Sequence, residues 1–321
     1  MTTTVNLKTF GNTIKVLITL LTMLFTMNQS FYSIRLDNSG MFDNTLKTAL
    51  PQTIVADMVN DHFNASLPAG KTVKKCFIFG YDGARADGIV KLKGIENSAV
   101  NYVAESGGLY VSFAGGKSKY FNTQATSTAP GWASILTGKW AKETGVKNNG
   151  YLLSSDTPTV LTSLVESGKA NSSLFLCSWG GHLTADNATY REEAAYTLQK
   201  GLNVRWETYS YDDTMHAAMV DEVNSPNCAD IIFCTYERPD SAGHGYGYGN
   251  DVPEYVEAIK LSDRDAFDLI KLIEARDTYI SEDWLFIVTS DHGGKGTGHG
   301  GQSVDCRTTF IAANKAIDIA G

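Results

Sequence analysis

Aspartate and histidine side chains recur in this sequence directly after short apolar runs. The set consists of Asp82, Asp240, His244, Asp291, His292 and His299. Mixed Asp and His ligands are typical of zinc that is held for catalysis rather than for structure. Three of the six histidines belong to the set, more than scattered surface histidines would give. The spacing therefore predicts a catalytic metal centre.

A cluster of hydroxyl groups precedes a predicted helix in the segment ATSTAPGWASILTG, residues 125–138. Pro130 suits the first helical turn, which places Thr128 at the amino end of the helix, where free N–H groups and the helix dipole favour an anion. A hydroxyl group there can act as a nucleophile. The alternative is that Ser127 or Thr128 only caps the helix.

The elements that must position these residues alternate between strands and helices. Short apolar runs predict buried strands at residues 76–81, 173–179, 230–236 and 284–289. Apolar residues spaced three and four apart predict helices at 157–169, 190–202, 212–223 and 255–275. This order predicts an α/β fold with a mostly parallel sheet and helices on both faces. Ligands of such sheets bind beyond the carboxyl ends of the strands, where the Asp and His residues fall.

Composition limits the classes of protein to which the chain can belong. The 321 residues are 43% hydrophobic and 19% charged, with a net charge of −8, as in an ordinary globular protein. No overall basic field exists to attract nucleic acid or anionic lipid. The five cysteines are odd in number and lack CxxC spacing, which argues against a zinc ribbon or a complete disulfide set.

The N-terminal region has the character of a targeting segment. Residues 16–34 carry no charge and follow Lys8 and Lys15, and the dense apolar part, 16–27, is shorter than a full membrane span. We expect an extracytoplasmic protein, secreted or anchored by this segment; the alternative is a helix packed on the domain. We therefore divide the chain into a targeting or anchor segment with a linker, residues 1–40, and one catalytic domain, 41–321.

In combination, the motifs resemble those of the alkaline phosphatase superfamily, and most of all its nucleotide pyrophosphatase/phosphodiesterase branch. YDGARAD, TSTAPGWASILTG, Asn149 after TGVKN, PDSAGH, TSDHG and GHGG follow one another in that family's order, from Cys76 to about Thr309. Where the branch often has Phe-Pro-Asn-His, this chain has APGW, so we expect a different substrate pocket and the same chemistry. Relatives continue with another helix, so we expect the domain to be truncated at its C-terminus.

The resemblance implies an alkaline-phosphatase-like fold with two zinc ions. Carried over residue by residue, one zinc is held by Asp240, His244 and His299, and the other by Asp82, Asp291 and His292. Thr128 is implied to be the nucleophile and to bridge toward the second zinc. Asn149 is implied to donate a hydrogen bond to a non-bridging phosphoryl oxygen.

Together these observations predict a zinc-dependent hydrolase of phosphodiester or pyrophosphate bonds that forms a covalent phosphothreonine. The charges of two divalent cations nearly cancel those of three aspartates and an ionised Thr128, so an anionic substrate can enter an acidic protein. We expect the substrate to be a small phosphate ester or nucleotide. We expect no nucleic-acid-binding surface. We expect contact with a membrane only through the N-terminal segment.

Several alternatives belong to the same superfamily. A phosphomonoesterase would need more positive charge than neutral Asn149 supplies, and Arg85 is expected to be structural. A phosphoethanolamine-type transferase shares threonine and zinc, but that group has several membrane spans. A non-catalytic metal-binding relative would not need Thr128 and Asn149. His182 and Trp179 could line the pocket or be structural.

Overall fold

The computed structural model describes residues 49–116 and 123–317, which form an eight-stranded sheet with the strand order β1-β3-β8-β7-β2-β6-β4-β5. Strands β7, β2, β6, β4 and β5 run parallel to one another, whereas β8 runs antiparallel to both β7 and β3. The sheet is therefore mostly parallel, as the alternation of elements predicts.

The strands, in chain order, are β1 (Leu50–Pro51), β2 (Val73–Tyr81), β3 (Gly108–Phe113), β4 (Ser173–Cys177), β5 (Val204–Thr208), β6 (Ile231–Tyr236), β7 (Glu282–Thr289) and β8 (Thr308–Ala313). The α-helices are α1 (Ile54–Asn64), α2 (Ala86–Ile89), α3 (Ala99–Ser106), α4 (Thr128–Thr137), α5 (Ala141–Thr144), α6 (Val160–Glu166), α7 (Arg191–Lys200), α8 (Asp212–Asn224), α9 (Arg238–Tyr246), α10 (Pro253–Glu274) and α11 (Val304–Arg307). Short 3₁₀ helices lie at Val90–Leu92 and Tyr279–Ser281.

The central strand β2 is buried on both faces. Cys76 and Ile78 belong to a core that also contains apolar residues of α1, α4 and α6. Phe77 and Phe79 lie on the opposite face, because side chains alternate along a strand, and their rings stack 3.9 Å apart. On that same face, the Tyr81 hydroxyl reaches α10 and donates to Asp263 at 3.1 Å. Helices therefore cover both faces of the sheet, as predicted.

The four predicted strands correspond to β2, β4, β6 and β7, and the other four were not anticipated. Of the predicted helices, the one expected from residue 157 begins only at Val160. The reason is that Thr159 is extended and both its N–H and its hydroxyl donate to Glu193 Oε1, at 2.8 and 2.9 Å. All five cysteines are buried and unpaired, consistent with the absence of a disulfide pattern.

The predicted targeting segment, residues 1–40, lies outside the described residues. Within 49–116 and 123–317, no helix is both long enough and apolar enough to cross a membrane.

The close approach of α4 to β2 generates a prediction about stability. A Cβ atom on Gly80 would lie 2.5 Å from Trp132 Cη2 and 2.9 Å from the Cys234 carbonyl oxygen. We expect Gly80→Ala to lower the free energy of unfolding by about 1–3 kcal/mol through overpacking. The control is Gly245→Ala on α9, where a Cβ meets nothing within 4 Å and a gain of up to about 1 kcal/mol is expected. Urea unfolding measures both; equal stabilities would contradict this packing.

Candidate active site

The ends of two central strands carry the most deeply buried members of the Asp/His set. Asp82 directly follows β2, and Asp291 and His292 follow β7 after Ser290. Strands β2 and β7 are parallel neighbours, so their carboxyl ends meet at one edge of the sheet. All three side chains have no exposed surface. The structure thus brings these three sequence-predicted residues together.

His292 faces three carboxylates without forming a hydrogen bond to any of them. Its Nε2 lies 3.3 Å from Asp82 Oδ1, 3.4 Å from Asp291 Oδ2 and 3.9 Å from Asp240 Oδ1. Both His292 Nε2 and Asp291 Oδ2 are buried and have no hydrogen-bond partner among the described residues. Buried polar atoms are normally paired, so this cluster has the ligand atoms of a metal site.

Asp240 and His244 lie on a helix, α9, rather than in a loop directly after β6. The sequence predicts them after the end of β6, and the structure adds that the chain turns into α9 at Arg238, with Pro239 in the first turn. Four residues apart on a helix, the two side chains share a face, and His244 Nε2 lies 3.3 Å from Asp240 Oδ2. The helix therefore presents both residues to the cluster.

All three histidines of the set are oriented in the same way. The Nδ1 atoms of His244, His292 and His299 lie 3.0, 2.9 and 3.1 Å from the carbonyl oxygens of Thr297, Gly293 and Thr126. A carbonyl oxygen only accepts, so each Nδ1 carries a hydrogen, and in the neutral form of each ring Nε2 presents its lone pair. Metal-binding histidines are commonly held by such a hydrogen bond.

Two of these lone pairs point at one another. His244 Nε2 and His299 Nε2 are 3.1 Å apart, and in the neutral rings neither carries a hydrogen. His299 Nε2 is also 3.8 Å from Asp240 Oδ1. A cation close to both nitrogens would relieve the contact between their lone pairs. The donor set therefore fits a metal ion at Asp240, His244 and His299.

The compact ligand groups of the described residues overlap. Asp82, Asp291 and His292 form one group, and Asp240 and His299 form another with His292, each with ligand atoms within 4.8 Å of one another. A third group joins Asp82 and Asp240 to Glu237, which the sequence analysis missed. Glu237 directly follows β6, so the strand-end rule that identified Asp82 could also have found it.

Thr128 is the first residue of α4 and faces Asp82. Its hydroxyl lies 3.4 Å from Asp82 Oδ1, and Trp132 Nε1 donates to Asp82 Oδ2 at 2.9 Å. Ser127 occupies the N-cap position, and its side chain makes no capping hydrogen bond. The helix start predicted from Pro130 is confirmed, and Thr128, rather than Ser127, has the contact with a carboxylate of the cluster.

Asn149 lies beside the first turn of α4. Its Oδ1 accepts a hydrogen bond from the Ala129 N–H at 2.9 Å. The amide nitrogen of the same side chain hydrogen-bonds to none of the described residues. Asn149 is thus held at the first turn of α4, and its amide N–H₂ group is not engaged by any described residue.

Crowding of carboxylates in this buried place changes the pKa of several groups. Burial raises the pKa of Asp291 well above its usual range, and the charge of Asp82 raises it further. Burial alone would lower the pKa of His292, but Asp291 and Asp82 raise it to about 10. Burial and the charge of His292 lower the pKa of His299 to about 4. In the metal-free protein one proton is therefore held at His292.

Arg85 makes no hydrogen bond to the Asp/His set among the described residues. Its guanidinium group donates to Asp87 at 2.9 and 2.6 Å and to the carbonyl oxygens of Tyr248 and Gly294, each at 3.2 Å. Its hydrogen bonds therefore connect segments that are distant in sequence, which supports the predicted structural role.

His182 is fully buried among aromatic rings, with Trp179 at 4.9 Å and Tyr190 at 5.6 Å between centroids. Burial lowers its pKa to about 3. The sequence left two roles open for His182, lining the substrate pocket or packing in the interior. Its burial among aromatic rings favours the packing role.

Comparison with known proteins gives one family match. A model of the family described as type I phosphodiesterase/nucleotide pyrophosphatase matches residues 77–310, most of the chain. No curated protein matches the sequence significantly.

Several solved structures align with part of this chain. Murine ectonucleotide pyrophosphatase/phosphodiesterase 5, an inactive form in complex with AMP, is 18% identical, with a TM-score of 0.47, over 69% of this chain and 57% of that one. Alkaline phosphatase from the Antarctic bacterium TAB5 is 13% identical, with a TM-score of 0.48, over 76% and 91%. The periplasmic domain of EcEptC from Escherichia coli, in complex with zinc, is 13% identical, with a TM-score of 0.48, over 78% and 77%. The match thus spans little more than half of the murine protein.

The raised pKa of His292 predicts how the metal-free protein responds to pH. The pKa of His292 is higher in the folded protein than in the unfolded chain, where it is about 6.5, so the protonated side chain stabilises the folded state below that pH. This stabilisation is lost as the pH rises toward about 10. We expect metal-free protein to lose up to about 1 kcal/mol of unfolding free energy per pH unit in that window. His292→Gln should flatten the dependence. Urea unfolding in the presence of a chelator between pH 6.5 and 10 measures it, and equal slopes for the two proteins would refute the assignment.

Proposed function

The chain belongs to the type I phosphodiesterase/nucleotide pyrophosphatase family, whose members are phosphoric ester hydrolases, and we propose that it cleaves phosphodiester or pyrophosphate bonds with two zinc ions and Thr128 as the nucleophile. The observation that carries the proposal is the position of Thr128. Its hydroxyl, at the start of α4, adjoins a buried cluster of carboxylates and imidazole lone pairs.

The residues of the cluster are of the kinds that bind zinc. Imidazole Nε2 and carboxylate oxygens are zinc ligands, and neither His292 Nε2 nor Asp291 Oδ2 has a hydrogen-bond partner among the described residues. We assign one zinc to Asp240, His244 and His299 and the other to Asp82, Asp291 and His292. When bound, zinc supplies positive charge for a phosphoryl group and lowers the pKa of a coordinated hydroxyl group.

Thr128 would form the covalent intermediate. Its oxygen bonds to phosphorus while the hydroxyl proton passes to solvent water. The bond from phosphorus to the leaving oxygen breaks, and the leaving group departs as an anion that solvent protonates. Water then attacks the phosphothreonine, which restores the hydroxyl group and releases the phosphate product. Asp82, held by Trp132, positions the Thr128 hydroxyl for the attack.

Asn149 would recognise the phosphoryl group. Its Oδ1 is fixed by the Ala129 N–H, so the amide N–H₂ can donate to a non-bridging oxygen and stabilise charge that develops in the transition state. The donor is neutral, and Arg85 is engaged elsewhere. This arrangement suits the single charge of a diester better than the dianion of a monoester, which leaves a phosphomonoesterase as the second candidate.

The proposed substrate is a small phosphate ester or nucleotide, and the proposed location is outside the cytoplasm. The location is supported by the uncharged apolar stretch at residues 16–27. N-terminal sequencing of protein recovered from outside the cytoplasm tests this location. Protein found only in the cytoplasm, with its N-terminus intact, would contradict export.

A phosphoethanolamine-type transferase is the remaining alternative, and transfer of the phosphoryl group to an added alcohol instead of water would favour it.

Replacement of the nucleophile provides the first test. We expect Thr128→Ala to lower kcat by about 10³-fold or more, because the covalent route is lost. Ser127→Ala is the matched control, since that hydroxyl is adjacent but makes no contact with the carboxylates, and it should keep most of the activity. Intact mass after acid quench should find phosphate on Thr128. Phosphate found on Ser127 instead would show that Thr128 is not the nucleophile.

The preference for diesters provides the second test. We expect kcat/KM to be at least about tenfold higher for bis-p-nitrophenyl phosphate or a p-nitrophenyl nucleotide than for p-nitrophenyl phosphate, which corresponds to about 1.4 kcal/mol of transition-state stabilisation. All three substrates release the same chromophore, so one assay at one pH compares them. Faster hydrolysis of the monoester would identify a phosphatase and refute the argument from Asn149.

A further inference from the structure

Tyr248 touches the cluster but belongs to none of the motifs that identified it. It lies two residues beyond the end of α9, is almost fully buried, and its hydroxyl donates to Asp240 Oδ1. The same hydroxyl lies 3.3 Å from the Asp240 carbonyl oxygen. Asp240 is one of the residues that we propose as zinc ligands.

From these contacts we infer that Tyr248 is a positioning residue that fixes the Asp240 carboxylate for zinc; the inference rests on the proposed function. With Oδ1 held by the tyrosine, Asp240 keeps Oδ2 turned toward His244 Nε2, 3.3 Å away. A hydrogen bond to a ligand from outside the coordination shell orients that ligand before the metal arrives.

The ring of Tyr248 is held in a slot that admits no side chain on either side. A Cβ atom on Gly243 or on Gly294 would overlap the ring, so glycine is required at both positions. Gly243 is part of α9, and Gly294 follows His292. Tyr248 is therefore packed between the two segments that carry ligands for the two zinc ions.

Main-chain bonds fix the same residue. The Tyr248 N–H donates to the Gly296 carbonyl oxygen at 2.7 Å, and the Tyr248 carbonyl oxygen accepts from Arg85 at 3.2 Å. The ring also meets His244 and His299 edge-on, with centroids 5.7 and 6.3 Å away. Together these contacts restrict the Tyr248 hydroxyl to a position next to Asp240.

Removal of the hydroxyl group alone tests the inference. We expect Tyr248→Phe to weaken binding of one zinc ion by about 10–100-fold and to leave the other nearly unchanged. The measurement is titration of the metal-free full-length protein with zinc against a chromophoric chelator, so it does not depend on turnover.

The matched control is Tyr81→Phe. It removes a buried tyrosine hydroxyl that also donates to an aspartate, Asp263, at 3.1 Å, but on α10 and away from the ligands. We expect its zinc affinities to stay within about twofold of the wild type, because the hydroxyl that it removes is bonded to Asp263 and not to a proposed zinc ligand. A second variant, Gly294→Ala, forces the ring out of its slot and should weaken zinc binding like Tyr248→Phe.

The outcomes separate the two proposals. Wild-type zinc affinity in Tyr248→Phe, or an equal loss in Tyr81→Phe, would overturn the role of Tyr248 and leave the proposed hydrolase intact. A wild-type protein that binds two zinc ions and cleaves no diester would overturn the proposed function while Tyr248 keeps its role. A wild-type protein that binds no zinc would overturn both.

Discussion

Three carboxylates buried together at one edge of the sheet are the constraint on which the rest of this structure depends. Asp82 and Asp291 have no exposed surface, and Asp240, which is also buried, has a ligand atom within 4.8 Å of one of Asp82. Charges of one sign in a low-dielectric interior repel strongly and are poorly hydrated, so protons or cations must accompany them. In the metal-free protein the proton at His292 supplies part of this compensation. A bound cation would replace it, which couples metal binding to pH and to stability.

Close packing of α4 against the sheet sets the distance from this cluster to the proposed nucleophile. A Cβ on Gly131 would come within 2.7 Å of the Asp291 Cβ, and one on Gly80 within 2.5 Å of the Trp132 ring. Both glycines let the helix approach the ends of β2 and β7. Trp132 then reaches Asp82 through its Nε1, and Thr128 begins the helix at the same carboxylate. The small residues of this region thus have a geometric reason that is independent of any catalytic role.

The parts of the fold that could be predicted from the sequence are those with a strong local pattern. Strands such as β2 and β6 are long apolar runs, and the residues that follow them were correctly expected to converge. Strand β5, VRWET, was missed because it lies at the sheet edge and is only partly buried, so it lacks an apolar run. Glu237 and Tyr248 were missed because their significance depends on contacts between distant segments.

The cluster has a rigid half and an open half, and this division bears on the proposed reaction. Asp82, Asp291 and His292 come from strand ends and are fully buried, so their positions are set by the sheet. His244 comes from a helix, and 48% of its side-chain surface is exposed. The buried half adjoins Thr128, where the geometry of attack must be maintained. The open half faces solvent, through which a leaving group departs and water enters, so ligands that can be approached from outside are suited to that side.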